Sequence, residues 1–312
     1  MPRNDNIETD MGMKTKGLFV ALMALMMCFV CNESYAYDIA VENADGVTIY
    51  YDVYMGSDNK MTLQVTSENY IDGTYYLHGT YSGSVVIPNR VTFGNWTLSV
   101  TSIGERAFYN CTNLTSVTIP GSVTSIGEDA FYSCTGLTSL TIQDGVTSIG
   151  NSAFTGCSGL VSVTIPGSVM SIGEDAFYSC RGLTSVTIPG SVTSIGKRAF
   201  ADCSELADVY CYAENVPTAS TAFNDSPIQL STLHVPASAI DSYRTTEPWS
   251  RFGTIVALTD QEMEDGIDDV NTSKTTTETV RYDINGRIIS TPQKGINISR
   301  MSDGTTRKVL IR

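Results

Sequence analysis

"VTSIGEDAFYSCTGLTSLTIQDG", Val123 to Gly145, is followed without a break by "VTSIGNSAFTGCSGLVSVTIPGS", Val146 to Ser168, and then by "VMSIGEDAFYSCRGLTSVTIPGS", Val169 to Ser191. The same frame also begins at Val100 and at Val192, so the chain carries five copies of a 23-residue unit. Each copy repeats Ile-Gly (Ile103, Ile126, Ile149, Ile172, Ile195), then Ala-Phe ending at Phe108, Phe131, Phe154, Phe177 and Phe200. Cysteines follow at 111, 134, 157, 180 and 203, and leucines at 114, 137, 160, 183 and 206.

A strict period in the range of about 20–29 residues with an L-x-x-[LV]-x-[LI] core predicts a leucine-rich solenoid. The fold class expected is β-rich, an α/β solenoid with a parallel sheet, short helical turns and a small C-terminal β module. In "LTSVTIP" the side chains alternate, which turns Val117 and Ile119 inward and Ser116 and Thr118 outward. Copies then pair as parallel strands about 4.8 Å apart, and Pro-Gly ends each strand and turns the chain. "VTSIG" predicts a second short extended piece whose Gly allows the next bend. "EDAFYSC" predicts one helical turn that carries Ala, Phe and Cys into the interior. A single unit cannot bury its own apolar face, whereas a stack makes a continuous core.

The cysteine column is expected to be reduced and buried. Five equivalent interior positions cannot all pair with one another, and Cys packs as a small hydrophobe. Cys211 takes the place of an inward Ile, which fits packing. No metal is expected: the repeats hold no C-x-x-C pair, and the chain has only His78 and His234.

The ends of the array differ from its middle. Lys14 and Lys16 precede the 14-residue apolar run Gly17–Val30, and Ser34 and Ala36 stand in small-x-small spacing. That pattern predicts a signal peptide over 1–36, since a membrane span needs about 20 apolar residues. No stable membrane span is expected once it is removed. Residues 37–99 are expected to form an N-terminal cap, with a hairpin about the "GSDN" turn, and a stretched first unit. Residues 100–217 hold the five repeats. Residues 218–258 read as a diverged last repeat (Phe223, Leu233, Val235) closed by Trp249 and Phe252. His234 is expected to be structural. Residues 259–279 are acidic and then Thr-rich, which predicts a solvated linker. Residues 280–312 return to strand alternation, with Asn285-Gly286 and Asp303-Gly304 as turn signals, and carry an excess of basic residues.

Net charge of −14 with 17% charged residues excludes a nucleic-acid partner, which needs clustered Lys and Arg. Catalysis needs unrepeated polar groups converging on a pocket. The carboxylate pairs Glu128-Asp129 and Glu174-Asp175 recur in register, and no G-x-S-x-G or H-E-x-x-H is present. No enzyme activity and no cofactor are expected. The candidate partner-binding face is the set of outward strand positions: Ser116, Ser139, Ser162, Ser185 and Asp208 in one column, Thr118, Thr141, Thr164, Thr187 and Tyr210 in the next, with Tyr212 at the end of the array. Asp208, Tyr210 and Tyr212 break the Ser/Thr monotony and mark the end to inspect first.

These residues carry two resemblances. From Tyr81 to Leu258 the chain resembles the BspA-like leucine-rich repeats of bacterial surface proteins. Tyr282-Asp283, Gly286-Arg287, Gly295 and Lys308 to Arg312 are similar to the C-terminal sorting signal of type IX secretion in Bacteroidota. The resemblances imply an exported protein of a Gram-negative bacterium, at the cell surface or released, that hands residues 280–312 to the secretion machinery. They also imply adhesion to host matrix proteins, other cells or glycans. A surface spacer is the alternative expectation.

Overall fold

The computed structural model describes residues 38–56, 60–67, 70–71, 74–75, 81–259, 262, 278–282, 295–301 and 306–311. The signal-peptide segment, the "GSDN" turn, His78, most of the 259–279 linker and both turns expected in the tail lie outside the described residues. The chain divides into two units, 1–266 and 267–312.

In the larger unit the 23-residue period becomes the rung of a β-solenoid. The "LTSVTI" pieces form one row of parallel strands: Gly83–Val86, Leu114–Ile119 and Ser139–Ile142, then Ser162–Thr164, Ser185–Ile188, Asp208–Cys211, Thr232–Val235 and Thr254–Ala257. On the other side of the Pro-Gly-Ser turn, the "VTSIG" pieces form a second parallel row: Trp96–Ile103, Ser125–Ile126, Ser148–Ile149, Ser171–Ile172 and Ser194–Ile195. Like residues face like residues: Ile126 pairs with Ile149, and Val163 with Val186. The stacked sequence therefore becomes stacked structure with no slip in register among the repeats.

Between the rows lies the core. Phe108, Phe131, Phe154, Phe177, Phe200 and Phe223 stack ring on ring with centroids 4.6 to 5.5 Å apart. Burying each ring contributes roughly 1.5–3 kcal/mol. Tyr81 closes the stack at one end, 4.4 Å from Phe108, and its hydroxyl donates to the Thr66 carbonyl. At the other end Trp249 and Phe252 meet Phe223 edge-on, and the Trp249 indole N–H donates to the Pro217 carbonyl at 2.9 Å. The cap residues are thus sealed without leaving that buried donor unpaired.

All six cysteines from 111 to 211 are free and buried. Cys134, Cys157, Cys180 and Cys203 each donate a thiol proton to the Phe carbonyl of the preceding rung, at 3.1 to 3.4 Å. In the diverged repeat Ser226 does the same to Phe200, at 2.7 Å. The column is therefore a polar one as well as an apolar one: each thiol adds a second donor, from the next rung, to a buried Phe carbonyl that already accepts the N–H closing its own turn.

Three expectations need correction. The helical turn at "EDAFYSC" is instead a pair of reverse turns, Asp129 to Tyr132 and Phe131 to Cys134, each closed by an i to i+3 bond. Left-handed residues, Asp129 at φ 53° and Ser133 at φ 57°, keep it from continuing as a helix. The Gly after each Ile is required by close approach and not by a bend. A Cβ built at Gly173 would lie 2.5 Å from the carbonyl carbon of Gly150 in the rung before.

Third, the alternation that turns Val117 inward predicts the same full burial for its equivalents Leu140, Val163 and Val186; Val117, Val163 and Val186 are 0–2% exposed, yet Leu140 is only half-buried. The long strand row is split beside it, between Ser139–Ile142 and Ser162–Thr164. In intact rungs Thr138 donates through both its backbone N–H and its hydroxyl to the Thr115 carbonyl, and Thr184 does so to Val161. Among the described residues no hydrogen bond joins Val161 to Thr138. The lack of a hydroxyl at 161 does not by itself open the row, since Ala207 lacks one too and its backbone N–H still donates to the Thr184 carbonyl at 2.8 Å. The second row and the Phe stack run through this level without a break.

The N-terminal cap is the antiparallel hairpin Thr48–Met55 with Met61–Thr66, flanked by Ile39–Glu42, and Met61–Thr66 joins the second row at Trp96–Ile103. The smaller unit is a three-stranded antiparallel sheet of Glu278–Tyr282, Gly295–Met301 and Thr306–Ile311.

Candidate binding face on the long strand row

The strand register brings the outward positions into two columns. Ser116 lies beside Ser139 and Thr118 beside Thr141. After the split, Ser162, Ser185, Asp208 and Thr232 follow one another, next to Thr164, Thr187, Tyr210 and His234. The face is thus two blocks, not one continuous column. Ser139, Thr141, Ser162 and Thr164 are exposed, and the positions on either side are half-buried.

The array's last rungs differ in chemistry. Tyr210 and His234 stack with ring centroids 4.3 Å apart and planes at 18°. His234 Nε2 is 3.2 Å from Asp208 Oδ1, and His234 Nδ1 is 3.4 Å from Glu262 Oε1. The Asp208 contact is a hydrogen bond, and the Glu262 contact is an ion pair when the imidazole is charged. The Tyr212 hydroxyl donates to the Glu262 backbone carbonyl at 2.9 Å. Burial opposes ionisation of Glu262, but hydrogen bonds from Thr259 and the charge of His234 together hold its carboxyl below the usual range. Burial, then the Asp208 and Glu262 carboxylates, push the Tyr210 phenol up.

Asp208, Tyr210 and Tyr212, singled out in the sequence, therefore do meet, and they meet around two residues that sequence reasoning assigned elsewhere. His234 lies one rung beyond Tyr210, but 24 residues on, because the diverged repeat holds one extra residue. Allowing that insertion would have placed it in the column. Glu262 falls within the expected linker, and nothing local in the sequence marks it. His234 is held by a hydrogen bond to Asp208 on one side of its ring and faces Glu262 on the other. What the arrangement offers is a wall of two stacked rings rising beside a shelf of short hydroxyl side chains, with one part-exposed carboxylate, Asp208, at its foot.

Among the described residues no group of three His, Cys, Asp or Glu side chains is placed to hold a metal ion. No described helix is long and apolar enough to cross a membrane.

Comparison with known proteins agrees with this architecture. The model of the BspA type leucine-rich repeat region matches in six copies, over residues 89–207 and 124–244, which together make half of the chain. No curated protein matches the chain. Among solved structures, a leucine-rich cell surface protein of Faecalibacterium prausnitzii A2-165 is 26% identical, over 86% of this chain and 60% of that one, with a TM-score of 0.47. The pneumococcal vaccine antigen PcpA is 22% identical over 65% of this chain and 51% of its own, at 0.49. A leucine-rich repeat protein of T. pallidum is 24% identical over 72% and 94%, at 0.44. The chain thus spans 60% and 51% of the first two structures it matches. Six family repeats laid over the rungs that the hydrogen bonds define place the chain in the BspA-type leucine-rich repeat family.

Proposed function

We propose that the protein is an exported, non-catalytic binding module that acts at the cell surface or outside the cell, and that its ligands are host matrix proteins, other cells or glycans. One observation carries the reading: the long strand row presents a regular, uncharged hydroxyl face from Ser162 to Thr187 that ends on the Asp208, Tyr210 and His234 group. Such a face satisfies an extended ligand by hydrogen bonds, and solenoids commonly bind along one face. The core groups, by contrast, are spent on packing and on pairing one rung with the next.

Residues 1–36 serve in this reading as the signal peptide, and 280–312 as the address read by the secretion machinery of a Gram-negative bacterium. The test is capture of matrix proteins and glycans by the immobilised chain beginning at residue 37, with a chain of scrambled repeats as control. Ligand retained by the protein and not by the control supports the reading. No ligand above control in either panel defeats it and leaves a surface spacer.

A further inference from the structure

The Tyr210 ring has two faces, and they are not equivalent. His234 covers one at 4.3 Å, nearly parallel. The other points along the row towards Thr187, its register partner in the preceding rung. Thr extends two heavy atoms beyond its Cβ, whereas the Tyr ring reaches well past that, so Thr187 cannot cover the outer part of this face. Next beyond Thr187 stands Thr164, equally short. On the same rung, two residues before Tyr210 and on the same side of the strand, Asp208 keeps 41% of its side chain exposed while it holds His234 through Oδ1.

An open aromatic face beside a carboxylate, above a floor of hydroxyls, matches one side chain closely. Arginine is planar, stacks on aromatic rings and forks its N–H groups onto a carboxylate. A neutral sugar would use the ring and the hydroxyls but would draw nothing from the charge. The charge favours the cation: Glu262 adds a second carboxylate near the Tyr210 hydroxyl, and the chain as a whole carries −14, which attracts a basic partner over distance.

Resting on the binding reading above, we infer that the step between Thr187 and Tyr210 is an arginine subsite, and that the ligand is a basic protein segment lying along the Ser162 to Asp208 shelf. Its arginine stacks on Tyr210 and pairs with Asp208.

The probe is a capped Gly-Ser-Arg-Ser-Gly pentapeptide, titrated into the full chain by heteronuclear NMR, with the Gln-for-Arg peptide and a panel of neutral oligosaccharides alongside. Thr187→Tyr is the sharpest variant, because it extends the ring stack and fills the step while leaving Tyr210 and His234 in place. Asp208→Asn removes the charge but keeps the shape. The expected result is saturable shifts at Tyr210 and His234 with the Arg peptide alone, weakened about tenfold, or ~1.4 kcal/mol, by either variant. Equal binding of the Gln peptide, unchanged affinity in both variants, or Tyr210-dependent binding of an oligosaccharide in place of the Arg peptide would each overturn the inference. If Thr187→Tyr and Asp208→Asn still capture the same matrix ligands in full, the subsite fails while the binding function stands. If the native chain captures nothing, it is the function that fails.

Discussion

The sulfur of Cys157 lies 3.2 Å from the carbonyl oxygen of Phe131 in the preceding rung, and the thiol is the donor. Both groups are buried, and the thiol is the second donor to this carbonyl, beside the Cys134 N–H. Cys157→Ala is expected to cost about 0.5–1.5 kcal/mol for the lost hydrogen bond, since the Phe131 carbonyl keeps the Cys134 N–H as a donor. Cys157→Ser is expected to cost less, since Ser226 already fills the equivalent role for Phe200. Chemical denaturation of the two variants checks the order.

The same burial governs reactivity. It pushes the Cys203 thiol up to about 12 and Cys211 to about 11, and raises Cys134, Cys157 and Cys180 as well. Since the thiolate is the reactive species, native protein should titrate few thiols among residues 111–211 and denatured protein all six. Disulfides between neighbouring rungs by mass spectrometry would contradict this.

Val161→Thr tests whether a hydroxyl at this position draws the split in the long row closed, where Ala207 pairs through its backbone N–H alone. Restoring the hydroxyl should let position 161 donate to the Thr138 carbonyl, as Thr184 does to Val161. The expected gain is about 0.5–1.5 kcal/mol, with slower amide exchange in 139–142 and 162–164. Unchanged exchange there would show that it does not.

Much of this architecture could be read in advance because the repeat repeats its physics. Phe154, Cys157 and Leu160 are buried for the same reason in every copy, so one correct reading serves for all. What escaped the sequence is what acts once, or between rungs. The break between Thr138 and Val161 has no mark in the sequence, since Ala207 lacks the hydroxyl too and its rung still pairs. The Gly173 contact with Gly150 depends on the spacing of rungs, which no single rung encodes. His234 is hidden by one inserted residue, and Glu262 comes to it from outside the period.

The cap should respond to pH. Burial, with the Asp38 carboxylate nearby, raises the Asp52 carboxyl to about 6. A carboxyl raised on folding favours the protonated fold: its stabilising contribution is full below the unfolded value, about 3.9, and is lost as pH rises through 6. The midpoint for unfolding of the Thr48–Thr66 hairpin is therefore expected to fall between pH 4 and pH 7. Asp52→Asn should flatten that slope. Hairpin amide exchange followed against pH separates the two.

Deleting residues 280–312 should leave thermal unfolding of the repeats nearly unchanged, because 1–266 and 267–312 are separate compact units. A marked drop in the midpoint would mean that the array depends on the tail for its stability.

The central claim is that ligand binding belongs to the outward face of the long strand row. The most direct measurement compares ligand capture by two double variants of the full chain. Thr164→Arg with Thr187→Arg obstructs the long row, and Ser148→Arg with Ser171→Arg places the same bulk and charge on the second row. The account predicts that the first variant loses capture of matrix proteins and glycans, while the second binds as the native chain does. Equal capture by both, or loss only in the second, would contradict it.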